Sequence, residues 1–246
     1  MSAGPLAAEQ AAVSLLRAFR SLFADVERAA DAFRATLLEC DALVAKATNL
    51  ASRLANASNA DTGLGCLVAF PRVRERLVTK QLDQLGLVYG ALKIRMCALL
   101  RFHPPGKLSF VTCAPVITSR SLVLLVLPDS EKLATHVSVF ERAALDGTQL
   151  LENNAYLDAS LLALPLTAAA ASAQPPATLH AMWLQDLHVW HAREHARRSL
   201  ALQKFRADLS VSGMRRWSDA FGATCIDRAA VDLVLSRATG RPRFAD

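Results

Sequence analysis

A heptad pattern of apolar residues runs along the chain from about Ala11 to Leu54. Apolar side chains recur at alternating intervals of four and three residues, and Thr36 is the one polar member among twelve. This spacing is typical of a helix that buries one stripe against other helices, and neither Pro nor Gly interrupts it. It predicts a helix of about 44 residues, roughly 66 Å long. The stripe comprises Leu15, Phe19, Leu22, Val26, Ala29, Phe33, Thr36, Cys40, Leu43, Ala47, Leu50 and Leu54.

Two shorter amphipathic helices are predicted in the middle of the chain. Asn, Ser, Asp and Gly crowd residues 56–65 and end the first helix. A second helix is predicted over 71–100, because Pro71 suits a first turn and an apolar face follows. A third begins near Asp129 and ends at Asp146-Gly147, with a weaker helical stretch after it over 148–164. The apolar face of the second helix comprises Val73, Leu77, either Gln81 or Leu82, and then Leu85, Val88, Leu92 and Met96.

The remaining segments are less regular. Residues 1–8 are expected to form a frayed tail, and 110–127 a short strand pair or an irregular insertion. Residues 165–178 contain three prolines and are interpreted as a linker. A helix over 179–208 and two short helices, 214–221 and 227–238, are predicted after it.

These elements predict an all-α fold, an elongated helical bundle. The long helix is expected to pack antiparallel on 71–100 and on 130–145. The predicted domains are an N-terminal bundle over 9–160, with an insertion at 104–126, and a smaller C-terminal helical module over 179–240.

Composition and charge narrow the functional classes. The chain is 52% hydrophobic with a net charge of +6, which suits either an acidic partner such as an RNA-containing particle or an ordinary solvated surface. It has no RRM, KH or zinc-finger signature, so no direct sequence-specific nucleic-acid binding is predicted. The most apolar window, 110–127, contains Pro115 and Arg120. No membrane span is predicted, and the protein is expected to be soluble and intracellular.

Catalytic and metal-binding chemistry finds little support in the sequence. The five cysteines are scattered without a CxxC pair, which favours a reducing compartment over disulfides or zinc. His188, His191 and His195 share a helical face; they are interpreted as solvated surface histidines rather than metal ligands. No GxxxxGK[ST] or GxGxxG occurs, and no nucleophile is linked to a base. No catalytic residue, metal or cofactor is predicted.

Two further patterns leave alternatives open. The second helix begins with Arg72, Arg74, Arg76 and Lys80 against Glu75. Cations oppose the macrodipole there, so either an acidic partner or simple solubility explains them. In the last long helix, Trp183 and Trp190 lie seven residues apart. Core or interface packing is favoured over stacking on bases.

Three blocks, taken in order, resemble the AIRIM family, the AAA-ATPase-interacting ribosome maturation factors. The first comprises residues 37–41 and 49–54 of the long helix, and the second runs from Phe70-Pro71 to Lys80-Gln81-Leu82. The third is Trp183-Leu184-Gln185-Asp186-Leu187, followed by Trp217-Ser218-Asp219. The candidate partner-binding or structural residues are Phe70, Pro71, Arg74, Glu75, Arg76, Leu77, Lys80, Trp183, Leu184, Gln185, Asp186 and Trp217.

The resemblance implies a non-enzymatic, all-helical adaptor, found in the cytoplasm and nucleus. Its implied partners are two type II AAA+ ATPases, a cyclin-dependent-kinase-interacting protein and, indirectly, the pre-60S ribosomal particle. The implied activity is cytoplasmic maturation of the large ribosomal subunit, with an additional role in unfolding replication proteins on chromatin. The insertion at 104–126 departs from the family pattern, either as a lineage-specific loop or as a gene-model artefact.

A coiled-coil scaffold of the spindle or kinetochore type is the alternative, with the heptad helix used for oligomerisation. For the second and third blocks, Phe70, Leu77, Trp183 and Leu187 also fit a purely structural role that closes the bundle. A metal enzyme built on the three histidines is a distant third.

Overall fold

The computed structural model describes residues 5–59, 70, 72–96, 132–154, 176–205 and 209–240, with side chains from residue 10 onward in the first helix and from 133 in the third. These residues form six helices and no strand, which confirms the predicted all-α fold. The helices are α1 (Pro5–Ser58), α2 (Val73–Met96), α3 (Lys132–Asn153), α4 (Ala177–Gln203), α5 (Val211–Gly222) and α6 (Arg228–Thr239).

Helices α2 and α3 both run antiparallel to α1, as predicted. At the start of α2, Arg74 donates to the carbonyl oxygen of Ala57, near the end of α1. At the other end of α2, the Arg95 guanidinium pairs with Glu39 at 3.0 Å. Helix α3 continues beside the N-terminal half of α1, where the rings of Phe140 and Phe33 meet edge to face.

Helix α4 runs parallel to α1 and also packs on α3. Its first turns bring His180 against the rings of Phe19 and Phe23. Near its end, Arg198 reaches Asp41 of α1. Helices α5 and α6 also contact α1, so α1 touches all five other described helices.

Within the described residues, the core consists of two clusters, both built on α1. The first combines its C-terminal half with α2, the end of α4 and α5, including Leu92, Met214 and Phe221. The second combines its N-terminal half with α3, the start of α4 and α6, including Phe19 and Leu187. Cys40 is a fully buried core residue, as the sequence predicted. The division into domains stays a prediction.

The buried surface of α1 is wider than the predicted stripe. Nine of its twelve positions are buried and three are half-buried, at Leu22, Leu43 and Leu54. A further row at intervals of seven residues is also buried, because α1 is covered by helices on more than one side. That row comprises Phe23, Ala30, Leu37, Val44 and Ala51.

Gly147 does not end α3, contrary to the prediction. The helix continues to Asn153, and Gly147 lies where α3 approaches both α1 and α4. A Cβ at this position would lie 2.7 Å from Leu184 Cδ1 and 3.4 Å from Phe19 Cε1. This glycine therefore permits close helix packing.

Other boundaries differ by a few residues. Helix α1 begins at Pro5, inside the expected tail, and α4 begins at Ala177, inside the expected linker. The predictions for 110–127 and for the insertion at 104–126 lie outside the described residues. Across the described ranges, no helix combines the length and apolarity that a membrane crossing needs.

Candidate partner-binding surface

Helix α2 carries a stripe of side chains that points away from the bundle. Its positions are spaced four, three, four, three and four residues apart, so they share one helical face. Five of them are exposed, and the glycine among them is half-buried. We call this face the outer stripe of α2; it comprises Arg76, Lys80, Asp83, Leu87, Gly90 and Ile94.

The outer stripe exists because the fold uses the opposite face of α2. Leu85, Val88, Leu92 and Met96 are buried in the first core cluster. Leu87 remains 64% exposed and Ile94 52% exposed. Scattered exposed apolar residues are ordinary, but these two are one heptad apart and flank Gly90.

The predicted basic residues at the start of α2 divide into two groups. Arg74 is structural: its Nε donates to the Ala57 carbonyl oxygen at 3.2 Å, and its Nη2 donates to that of Ser58. It thereby satisfies carbonyls that the end of α1 leaves without helical partners. Arg72, Arg76 and Lys80 form the second group; they are exposed, as is Arg74 itself. Only this second group can meet a partner without disturbing the junction of α1 and α2.

The other residues of this block also separate. Phe70 is 60% exposed, so it does not close the bundle, whereas Leu77 is half-buried. Glu75 is exposed, and Pro71 lies outside the described residues. Arg72 has a φ of 66°, which is uncommon for a residue with a side chain. A strained, exposed cation therefore precedes the outer stripe.

The tryptophan block lies mostly inside the bundle. Trp183 is half-buried beside His180, and Leu184 is 1% exposed. Gln185 is exposed and donates to Thr148 Oγ1 at 3.2 Å. Asp186 is exposed. This block therefore holds α4 against α3 and leaves mainly Gln185 and Asp186 at the surface.

Trp217 is also internal. Its indole N–H donates to the carbonyl oxygen of Ala201 at 2.9 Å, and its ring packs edge to face on Phe205. It joins α5 to the end of α4.

The prediction that the three histidines are solvated is wrong. His191 is buried and stacks on Phe140 with 3.9 Å between ring centres, while its Nδ1 donates to the Leu187 carbonyl oxygen. Burial lowers its pKa to about 4. His195 is also buried and donates to the Met96 carbonyl oxygen at 2.9 Å, and His188 is half-buried. Within the described ranges, no group of His, Cys, Asp or Glu is arranged to hold a metal.

A buried ionic cluster joins α4 to α1 and was not predicted from the sequence. The Arg198 Nε donates to Glu194 Oε1 at 2.7 Å, and its Nη1 donates to Asp41 Oδ1 at 2.6 Å. Arg198 and Glu194 have 1% and 0% of their surface exposed. The i, i+4 spacing of Glu194 and Arg198 is the one signal that the sequence contains.

The same carboxylate also anchors the segment between α5 and α6. Glu194 Oε2 accepts hydrogen bonds from the Cys225 backbone N–H at 3.0 Å and from its thiol at 3.1 Å. Burial opposes ionisation of Glu194, but the hydrogen bonds from Cys225, Arg198 and Arg197 outweigh it and lower its pKa. The cluster is therefore an ionised structural tie.

Residues 13–103 match the CA109-like family model, described as "Ribosome biogenesis protein C1orf109-like". C1orf109 is AIRIM, so this is the family that the three sequence blocks resemble. The matched range contains most of α1 and all of α2, with the outer stripe. The chain has no match among curated proteins.

Proposed function

We infer that this chain belongs, through residues 13–103, to the C1orf109-like, or AIRIM, family of ribosome biogenesis proteins. On this premise, we propose that it is a non-enzymatic adaptor of an AAA+ ATPase complex. It acts in maturation of the large ribosomal subunit. The family match supports the role in ribosome biogenesis. The proposed partners are the ATPase, a cyclin-dependent-kinase-interacting protein and, indirectly, the pre-60S particle. The proposed location is the cytoplasm and the nucleus.

The outer stripe of α2 is the observation that carries the adaptor role. It lies within the matched residues and presents Leu87 and Ile94 to solvent although the core does not need them there. An adaptor works through such a surface, because exposed apolar residues at helical spacing are suited to bind another protein.

The coiled-coil scaffold has no comparable support. Its heptad stripe on α1 would have to face a second copy of the chain. Positions such as Phe19, Val26, Phe33 and Cys40 are instead buried against other helices of the same chain.

Affinity purification of the tagged full-length protein tests the proposal. We expect mass spectrometry to recover an AAA+ ATPase together with components of the large ribosomal subunit. A variant with Leu87→Ser and Ile94→Ser should lose the ATPase, and Leu145→Ser, at an equally exposed position on α3, should retain it. Recovery of neither an ATPase nor ribosomal components would overturn the proposal.

A further inference from the structure

We propose that the outer stripe of α2 binds a single amphipathic helix of a partner protein that carries apolar residues opposite Leu87 and Ile94 and carboxylates opposite Arg76 and Lys80. This inference rests on the proposed function in one respect, that the chain acts by binding a protein. It adds the shape and the charge of the segment that is bound.

The geometry of the stripe suits a helix. Its alternating spacing is the one with which two helices pack side by side. From Arg76 to Ile94 it extends about 27 Å at 1.5 Å per residue, the length of a helix of roughly 20 residues. A Cβ added at Gly90 would meet no atom of the described residues within 4 Å. The backbone of a partner helix can therefore approach closely between Leu87 and Ile94.

Gly90 is not explained by the fold itself. Glycine inside a helix costs about 0.5–1 kcal/mol relative to alanine. At Gly147 close packing within the bundle accounts for this cost, but among the described residues nothing packs on a Cβ at Gly90, as at Gly86. The small residue leaves room for a close contact with another molecule at this point of the stripe.

The distribution of charge identifies the kind of partner. The N-terminal end of the stripe is basic through Arg76 and Lys80, and the C-terminal end is apolar. Around it, Arg72 and Lys93 are exposed cations, and the exposed acids of α2 and its preceding turn are Glu75 and Asp83. The surface is therefore net positive, and carboxylates are its complement.

The same polarity disfavours a second copy of this chain as the occupant. In a parallel pair, Arg76 and Lys80 would face the identical cations of the other copy. In an antiparallel pair aligned end to end, Arg76 would lie over Ile94 and Asp83 over Leu87, which leaves charge against apolar surface. A helix with one acidic end and one apolar end avoids both conflicts.

Binding of two synthetic helical peptides to the full-length protein tests the proposal. Both peptides have about 21 residues and the same apolar heptad positions, but one carries Glu and the other Lys at the flanking and end positions. Fluorescence anisotropy should show the acidic peptide binding at least about tenfold more tightly, and this preference should decrease as salt is raised. Equal binding of both peptides, or no binding of either, would overturn the proposal.

Three variants assign the binding to the stripe. Leu87→Ser with Ile94→Ser should weaken the acidic peptide's binding at least about tenfold, and Arg76→Glu with Lys80→Glu should reverse the preference between the peptides. Gly90→Gln should also weaken binding while it raises the melting temperature, so a folding defect cannot explain the loss. Leu145→Ser is the control, since Leu145 and Leu87 are both 64% exposed.

The outcomes separate this inference from the proposed function. Unchanged peptide binding in the stripe variants, or equal weakening by Leu145→Ser, contradicts the inference. Dimerisation of the full-length protein that Leu87→Ser and Ile94→Ser abolish also contradicts it, because the occupant is then a second copy. Peptide binding as expected, in a protein that recovers neither an ATPase nor ribosomal components, supports the inference and overturns only the proposed function.

Discussion

Arg198 is a buried cation whose removal would take from the buried Glu194 carboxylate one of its two arginine partners, the other being Arg197. Glu194 has no exposed surface, and Arg198 bridges it to Asp41. Because Arg197 and Cys225 remain as partners of Glu194, we expect Arg198→Ala to lower the free energy of unfolding in urea by about 1.5–3 kcal/mol. Arg193→Ala, at an exposed position of the same helix, should change it by about 0.5 kcal/mol or less.

A double variant distinguishes the effect of losing the Arg198–Glu194 ion pair from the effect of losing side-chain packing. Arg198→Met with Glu194→Gln removes both buried charges, and glutamine still accepts the hydrogen bond from the Cys225 backbone N–H. It should recover much of the stability that Arg198→Ala loses. Similar urea curves for Arg198→Ala and Arg193→Ala would show that the cluster does not stabilise the fold.

His191 makes the stability of the protein depend on pH. Its pKa in the fold is about 4, chiefly because of burial, whereas in the unfolded chain it is 6.5. The unfolded state therefore binds the proton first, and stability is lost as the pH falls from 6.5 toward 4. The maximal loss is about 3 kcal/mol, at about 1.4 kcal/mol per pH unit.

Urea unfolding of the protein and of His191→Leu measures this contribution. Both proteins retain Glu194, whose lowered pKa causes a further loss of stability in acid. Both also retain the buried His180, whose pKa is lowered as well. The difference between the two unfolding free energies should therefore report on His191. It should shift by about 2–3 kcal/mol in favour of the variant between pH 7 and pH 4.5. Parallel pH profiles would contradict the assignment.

At the scale of the helices, glycines have opposite effects according to their surroundings. Gly147→Val should destabilise the protein by about 1–3 kcal/mol, since the new side chain would press on Leu184 and Phe19. Gly86→Ala should stabilise it by up to about 1 kcal/mol, since a Cβ there meets no atom of the described residues within 4 Å. Thermal melting of the two variants measures both effects, and a stable Gly147→Val would refute the close packing of α3.

The helices were largely predictable because their apolar spacing records which face is buried. The spacing could not reveal how many helices surround α1, so the row at Phe23, Ala30 and Leu37 was missed. Gly147 was misread because a glycine that stops a helix and one that permits close packing look alike in sequence. The histidines were misread because aromatic partners such as Phe140 come from another helix.

The candidate surface was only partly predictable for the same reason. The sequence identified Arg76 and Lys80 as basic residues of the family-like block, and it assigned Leu85, Val88, Leu92 and Met96 to the buried face of α2. With that face assigned, Leu87, Gly90 and Ile94 lie on the outer one. The structure is needed to recognise these three residues as a free surface, because only the packing shows that no other described helix covers them.

At the scale of the whole molecule, the packing around α1 predicts a monomer. The apolar rows of α1 are covered within the chain, so sedimentation of the full-length protein should give the mass of one chain, 26.5 kDa. A fragment of residues 1–100 lacks α3, α4, α5 and α6, and it would expose Phe19 and Phe23. We expect this fragment to self-associate, since uncovered apolar stripes of this length pair with each other. A full-length dimer that persists in Leu87→Ser with Ile94→Ser would instead favour the coiled-coil scaffold, because α1 would then be the remaining candidate for the contact.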